Sequence, residues 1–167
     1  MQLATMDLFR ACWTDAIHEE WIRNVLADRP DLSREQLERT KNLMNTNVLE
    51  SLVSDYEHFI PVVELPDKND RHVVAAAIRC GASAIVTYNT KDFPASALEK
   101  YDLEAIQPDD FIVQQAHLSE ARVIESGMKV RSRLRNPTYS AEEYLSTLEK
   151  QKLPKTISLL RGFRNLI

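Results

Sequence analysis

Acidic and amide side chains gather at two places in this chain. Asp67, Asn69, Asp70, Arg71 and His72 follow the apolar run 59–65, and Asn89, Thr90, Lys91 and Asp92 follow the apolar run 84–88. Carboxylates held near one point repel one another, and a bound cation keeps them ionised. An all-oxygen set of this kind suits magnesium or manganese. Such an ion can polarise a phosphodiester and activate a water for attack. Each acid also has a plainer reading as a helix cap, which Asp favours, and taken singly the cap is the stronger reading. Two acids at successive strand ends shift the balance toward a site. Glu20 lies mid-helix at the edge of an apolar stripe, where an exposed surface glutamate is the simpler reading. Glu19 is paired by spacing with Arg23, four residues on.

Other chemistries find less support. His18, His58, His72 and His117 are scattered, with no metal-ligand spacing. His72 stands near the acids, although a helix-surface histidine is the simpler reading. Nothing marks a nucleophile elbow. Cys80 ends an apolar helix face and reads as core. Cys12 and Cys80 show no framework spacing, which points to a reducing cytosol. The basic residues Lys129, Arg131, Arg133 and Arg135 can meet phosphates through charge, or can line a solvated helix.

The elements that must position the acids can be read from local signals. Thr14 caps a predicted helix ending near Asp28, before Pro30. Ser33 and Gln36 form a capping box for a second helix. The run 59–65 reads as a strand, ended by Pro66. A helix starts near Asn69 or Asp70 and stops at Gly81. Residues 84–88 read as a buried parallel strand, followed by a short helix after Pro94, and 103–106 as a third strand. Pro108 and Asp109 open another helix. This alternation predicts a parallel sheet covered by helices, whose ligands bind outside the carboxyl ends of the strands. From residue 119 the pattern is helical only. Ser140 and Glu143 form a capping box, and Pro154 fits the first turn of a last helix.

Composition bounds the reading. The chain has 167 residues, 44% hydrophobic and 28% charged, which is enough for a packed core. Three glycines leave little for a glycine-lined phosphate loop. No apolar run approaches the roughly 20 residues of a membrane helix, and residues 1–10 lack the apolar block of a secretory signal. The net charge of −4 is uneven. Residues 120–167 hold ten Lys/Arg and five Asp/Glu, while residues 1–119 hold eleven and twenty. An acidic body with a basic tail is compatible with a metal site beside a phosphate-binding surface, and equally with solvated helices.

The stretches L-P-D-K-N-D-R-H-V-V-A-A-A (65–77), A-I-V-T-Y-N-T-K-D-F-P (84–94) and W-T-D-A-I-H-E-E-W-I-R-N (13–24) together resemble the PIN-domain family. More narrowly, they resemble its bacterial branch of VapC-like toxins from toxin–antitoxin pairs. The resemblance implies a three-layer α/β/α fold with a helical C-terminal extension, divided as 1–117 and 118–167. It implies Mg²⁺- or Mn²⁺-dependent cleavage of RNA, an antitoxin partner and a cytoplasmic setting. It matches Glu20 to the family's helix glutamate, Asp70 to the acid opening its D-x-x-x-A-A helix, and Asp92 to the acid of its T-x-N-x-x-D-F segment. Asn89 and Thr87 become neighbours of the metal, and Asp67 a further ligand.

One departure stands against that pattern. The family begins with a strand ending in an aspartate, whereas this chain opens in what reads as the following helix, with Leu3, Met6 and Phe9 on one side. Asp7 has no strand before it. The expectation is a fragment or short form, with exposed strand edges that favour a homodimer or higher oligomer and with weakened metal binding. The alternative to a nuclease is a non-catalytic PIN domain that acts as a protein-interaction or oligomerisation module.

Overall fold

Thr14 takes extended backbone, with φ −123°, and its side chain accepts the Ile17 N–H at 3.1 Å, so the chain turns into a helix at the next residue. That helix, α1 (Asp15–Asp28), has the span its cap and apolar spacing predict. Ser33 and Gln36 close a reciprocal capping box on α2 (Arg34–Asn47). α3 (Arg71–Cys80) buries Val74, Ala75, Ala76 and Ala77, and it stops at Gly81, whose φ of 63° supplies the left-handed turn. β1 (Ala84–Val86), α4 (Ala95–Leu98), β2 (Glu104–Ile106) and α5 (Pro108–Arg133) follow. The Ser140–Glu143 box opens α6 (Ala141–Lys150), and Pro154 sits in the first turn of α7 (Pro154–Arg161). This computed structural model describes residues 1–167.

β1 and β2 form a two-stranded parallel sheet. The Glu104 N–H donates to the Ser83 carbonyl at 3.1 Å, and the Thr87 N–H donates to the Ile106 carbonyl at 2.9 Å. The fold is therefore α/β, with helices flanking a parallel sheet and a helical C-terminal region.

Three local expectations are corrected. The run 59–65 is not a strand: Glu57–Val62 is a 3-10 helix, and Val63 only then becomes extended. Pro61 lies within that helix and has no N–H to give a ladder. The N-terminal residues form a 3-10 turn, Ala4–Met6, ended by Asp7 at φ 53°, rather than an α-helix. Glu19 pairs with Arg34 across helices at 2.5 Å, not with Arg23 along its own.

The chain divides into two compact units. One comprises residues 10–85 and 89–105. Its core joins Val63 and Leu65 to the apolar face of α3, with Ile85, Phe93, Leu98 and Leu103. In it, Trp13 and Leu52 form an isolated parallel bridge. The Trp13 N–H donates to Ser51 and the Val53 N–H to the Trp13 carbonyl, each at 2.8 Å. His18 is fully buried there. Its Nδ1 accepts from Trp21 Nε1 at 2.9 Å, and its Nε2 meets Asn45 Oδ1 at 3.0 Å. Asn45 Oδ1 also accepts from Trp13 Nε1 at 2.6 Å. Since an indole N–H only donates, the proton of His18 sits on Nε2.

The other unit comprises residues 1–9, 86–88 and 106–167. Ile124 of α5 packs with Tyr144, Leu145 and Leu148 of α6 and with Ile157 and Leu160 of α7. Gly127 permits that packing, because a Cβ there would stand 3.3 Å from Leu160 Cδ2. α5 spans the expected boundary at 117/118, and its backbone leaves helical geometry at Ser119. Phe9 meets Phe111 edge to face, with ring centroids 4.7 Å apart. No helix is long and apolar enough to cross a membrane.

Candidate functional site

Asp70 ends a 3-10 turn, Lys68–Asp70, and occupies the position just before α3. Its side chain makes no cap hydrogen bond to that helix. Asp92 does not cap the following helix either: Pro94 holds the cap position of α4, where no side chain bonds. Asn89 Nδ2 instead donates to Asp92 Oδ2. Of the three aspartates, Asp67 alone serves as a cap, accepting the Asn69 N–H at 2.8 Å.

The acids act on one another. The Asp70 carboxyl is held above its usual value of 3.8, first by burial, then by the negative charges of Asp67, Asp92 and Glu20. His72 opposes that shift. Four acids drawn from α1, the turn before α3 and the loop after β1 thus share one electrostatic neighbourhood in the same unit. Only Asn89 and Asp92 follow a strand end, since Asp67 and Asp70 follow a 3-10 helix and an extended link.

Glu20 is oriented by contact. Its Oε2 lies 3.4 Å from Nε2 of His72, a side chain only 18% exposed. The Nδ1 of His72 is buried without a hydrogen-bond partner. A surface reading of His72 therefore fails, and the signal that reveals its place is helical spacing. His72 sits three and four residues before Ala75 and Ala76, both buried. Thr87 belongs to the other unit, where its backbone joins the sheet.

No three of the His, Cys, Asp and Glu side chains are gathered at metal-ligand distance. The chemistry of the donors nevertheless fits a hard divalent cation. Carboxylates that push a neighbour toward protonation are the groups whose repulsion such a cation relieves. The carboxylates that could hold one are those of Glu20, Asp70 and Asp92, with Asp67 also acting on Asp70.

The model of the PIN domain matches residues 1–91, and the model of the VapC50 C-terminal domain matches residues 108–162. A curated relative from Mycobacterium tuberculosis (strain ATCC 25618 / H37Rv), named "Putative ribonuclease VapC50", is 53% identical over 51 residues. That stretch spans 30% of this chain and 30% of the relative. No solved structure matches. With more than half of its residues matched by the PIN-domain model, the chain belongs to the PIN-domain family.

Proposed function

We propose that this chain is a divalent-metal-dependent endoribonuclease of the VapC type, the toxin of a toxin–antitoxin pair. One observation carries the reading: Asp70 is unused as a cap, and burial together with the negative charges of Asp67, Asp92 and Glu20 bears on its carboxyl. Glu20, Asp70 and Asp92 would hold Mg²⁺ or Mn²⁺, with Asp67 as a further ligand. When bound, the ion would supply charge neutralisation at a phosphodiester and an activated water. The chain's own residues set the stage. His72 orients Glu20, and the Asn89 amide holds Asp92 in place. The RNA substrate and the antitoxin partner belong to the same proposal: the first rests on the likeness to a relative named as a ribonuclease, the second on the resemblance of residues 13–24, 65–77 and 84–94 to VapC-like toxins.

The test is cleavage of single-stranded RNA with Mn²⁺, with and without a chelator, for the chain and its Asp70→Asn variant. Cleavage that needs the metal and is lost in the variant supports the proposal. Cleavage retained by Asp70→Asn overturns it.

A second reading is a non-catalytic PIN domain that binds a partner or a second copy of itself. The absence of any three ligands already gathered favours it. It predicts association that is indifferent to divalent cations, seen by light scattering with and without chelator.

A further inference from the structure

Tyr88 follows the end of β1 and is held by its tip. Its hydroxyl donates to the Gln151 carbonyl at 2.6 Å, in the turn between α6 and α7. The residue is nevertheless 53% exposed. A phenol tethered through its oxygen, with this much surface open, offers a ring to a flat ligand and loses little freedom on binding. Lys150 and Lys152 flank Gln151, and both are exposed.

The charge beside this tether has one sign. Residues 150–167 hold Lys150, Lys152, Lys155, Arg161 and Arg164 and no acidic residue. All five cations are exposed. α7 buries Thr156, Ile157 and Leu160, and it turns Lys155, Ser158 and Arg161 to solvent at three-residue steps. Lys155 pairs with Asp110, and the other four cations make no ion pair. The basic run 129–135 differs, because its charges are drawn inward: Lys129 pairs with Glu125, Arg131 donates to the Tyr139 carbonyl, and Arg133 donates to the Gln2 side chain. The start of α7 is not an anion site in its own right, since Asp109 already accepts the Lys155 and Thr156 N–H groups. Glu149 is the nearest acid in sequence. Tyr88 and the cations belong to one unit.

We propose that this face binds single-stranded RNA, with a base stacked on the Tyr88 ring and the phosphates met by Lys150, Lys152, Arg161 and Arg164. Stacking accepts any base that is free of a duplex. The cations add an attraction that is indifferent to sequence and weakens with salt. α7 spans about 12 Å at 1.5 Å per residue, so the cations at its two ends suit an extended polyanion better than a single phosphate. A bilayer fits less well, because the apolar side of α7 is already packed against Ile124 and Leu145 and leaves nothing to insert. The choice of RNA among polyanions rests on the nuclease reading. The face itself uses none of Glu20, Asp67, Asp70 and Asp92.

The experiment follows a short fluorescent single-stranded RNA onto the full chain by anisotropy, with chelator present and over a series of salt concentrations. Binding is read without cleavage, so an inactive chain tests it equally well. The unmutated chain is expected to bind the single strand more tightly than an RNA duplex of the same length. Tyr88→Ala should weaken single-strand binding about tenfold and duplex binding far less. Tyr88→Phe, which keeps the ring and loses the tether, should fall between. The double variant Lys150→Gln, Lys152→Gln changes only exposed, unpaired side chains, and it should weaken binding and flatten its salt dependence. No binding under chelator, equal affinity for the duplex, unchanged binding by either variant, or displacement by polyglutamate as readily as by unlabelled RNA would each overturn the proposal. Metal-dependent cleavage seen beside any of these results would leave the nuclease reading standing and remove this one.

Discussion

Glu20 and His72 meet across two helices, with Nε2 of the imidazole 3.4 Å from Oε2 of the carboxylate, so that α1 and α3 present their polar residues to one neighbourhood. Replacing His72 with Ala frees Glu20. The pair is partly exposed, so the variant should lose less than about 1 kcal/mol of stability. A partner that orients a ligand matters more to the ion, and Mn²⁺ affinity should fall about tenfold or more. Urea unfolding and calorimetric titration read the two effects separately. A large stability loss with unchanged affinity would make the contact purely structural.

Asp70 gives a prediction with a definite sign. Its folded-state carboxyl holds its proton more tightly than the unfolded value of 3.8 allows. Its contribution to stability is therefore fully present below the unfolded value and is lost as pH rises through the raised folded value. At neutral pH, with chelator present, Asp70→Asn should melt at or above the unmutated chain, and the gap should close in acid. Thermal melts at the two pH values check this. A variant that melts much lower at neutral pH would show that Asp70 supports the fold.

Asp109, buried in the first turn of α5, caps a helix far along the chain. Its carboxylate accepts the Lys155 N–H, the Thr156 N–H and the Thr156 hydroxyl, each at 2.8 Å. Asp109→Ala strands buried donors at the start of α7 and should cost about 2–3 kcal/mol. Its neighbour Asp110 pairs with the exposed Lys155 ammonium, so Asp110→Ala should change stability by less than about 0.5 kcal/mol. Denaturant midpoints of the two variants, compared side by side, make the check.

Asn45 joins the two tryptophans through His18. Its Oδ1 accepts from both Trp13 and His18. Asn45→Ala leaves two donors without a partner beside a fully buried imidazole and should cost about 2–4 kcal/mol. Both tryptophans of the chain lie in this network, so intrinsic fluorescence reports its loss directly. An unchanged emission maximum and midpoint would contradict the account.

The elements that proved legible in the sequence are those with local causes. Thr14, the Ser33 and Ser140 boxes, Gly81 and Pro154 each act within a few residues of themselves, and each does in the structure what its neighbours imply. The run 59–65 failed because β-prone side chains outweighed Pro61 in the reading, while the backbone obeyed Pro61. Long-range partners left no trace. Nothing near Asp109 announces residues 155 and 156, and nothing near His18 announces Asn45. At the candidate site, motif and resemblance single out Asp67, Asp70, Asp92 and Glu20 as candidates and no more. That Asp67 caps while Asp70 and Asp92 do not, and that Glu20 faces His72, depends on side-chain geometry that spacing does not encode.

The central claim is that Glu20, Asp70 and Asp92 hold a divalent cation. Calorimetric titration of the full chain with Mn²⁺, repeated on Asp70→Asn, tests it most directly. The account predicts saturable binding by the unmutated chain and its loss in the variant. No binding by the unmutated chain, or equal binding by both, would contradict it.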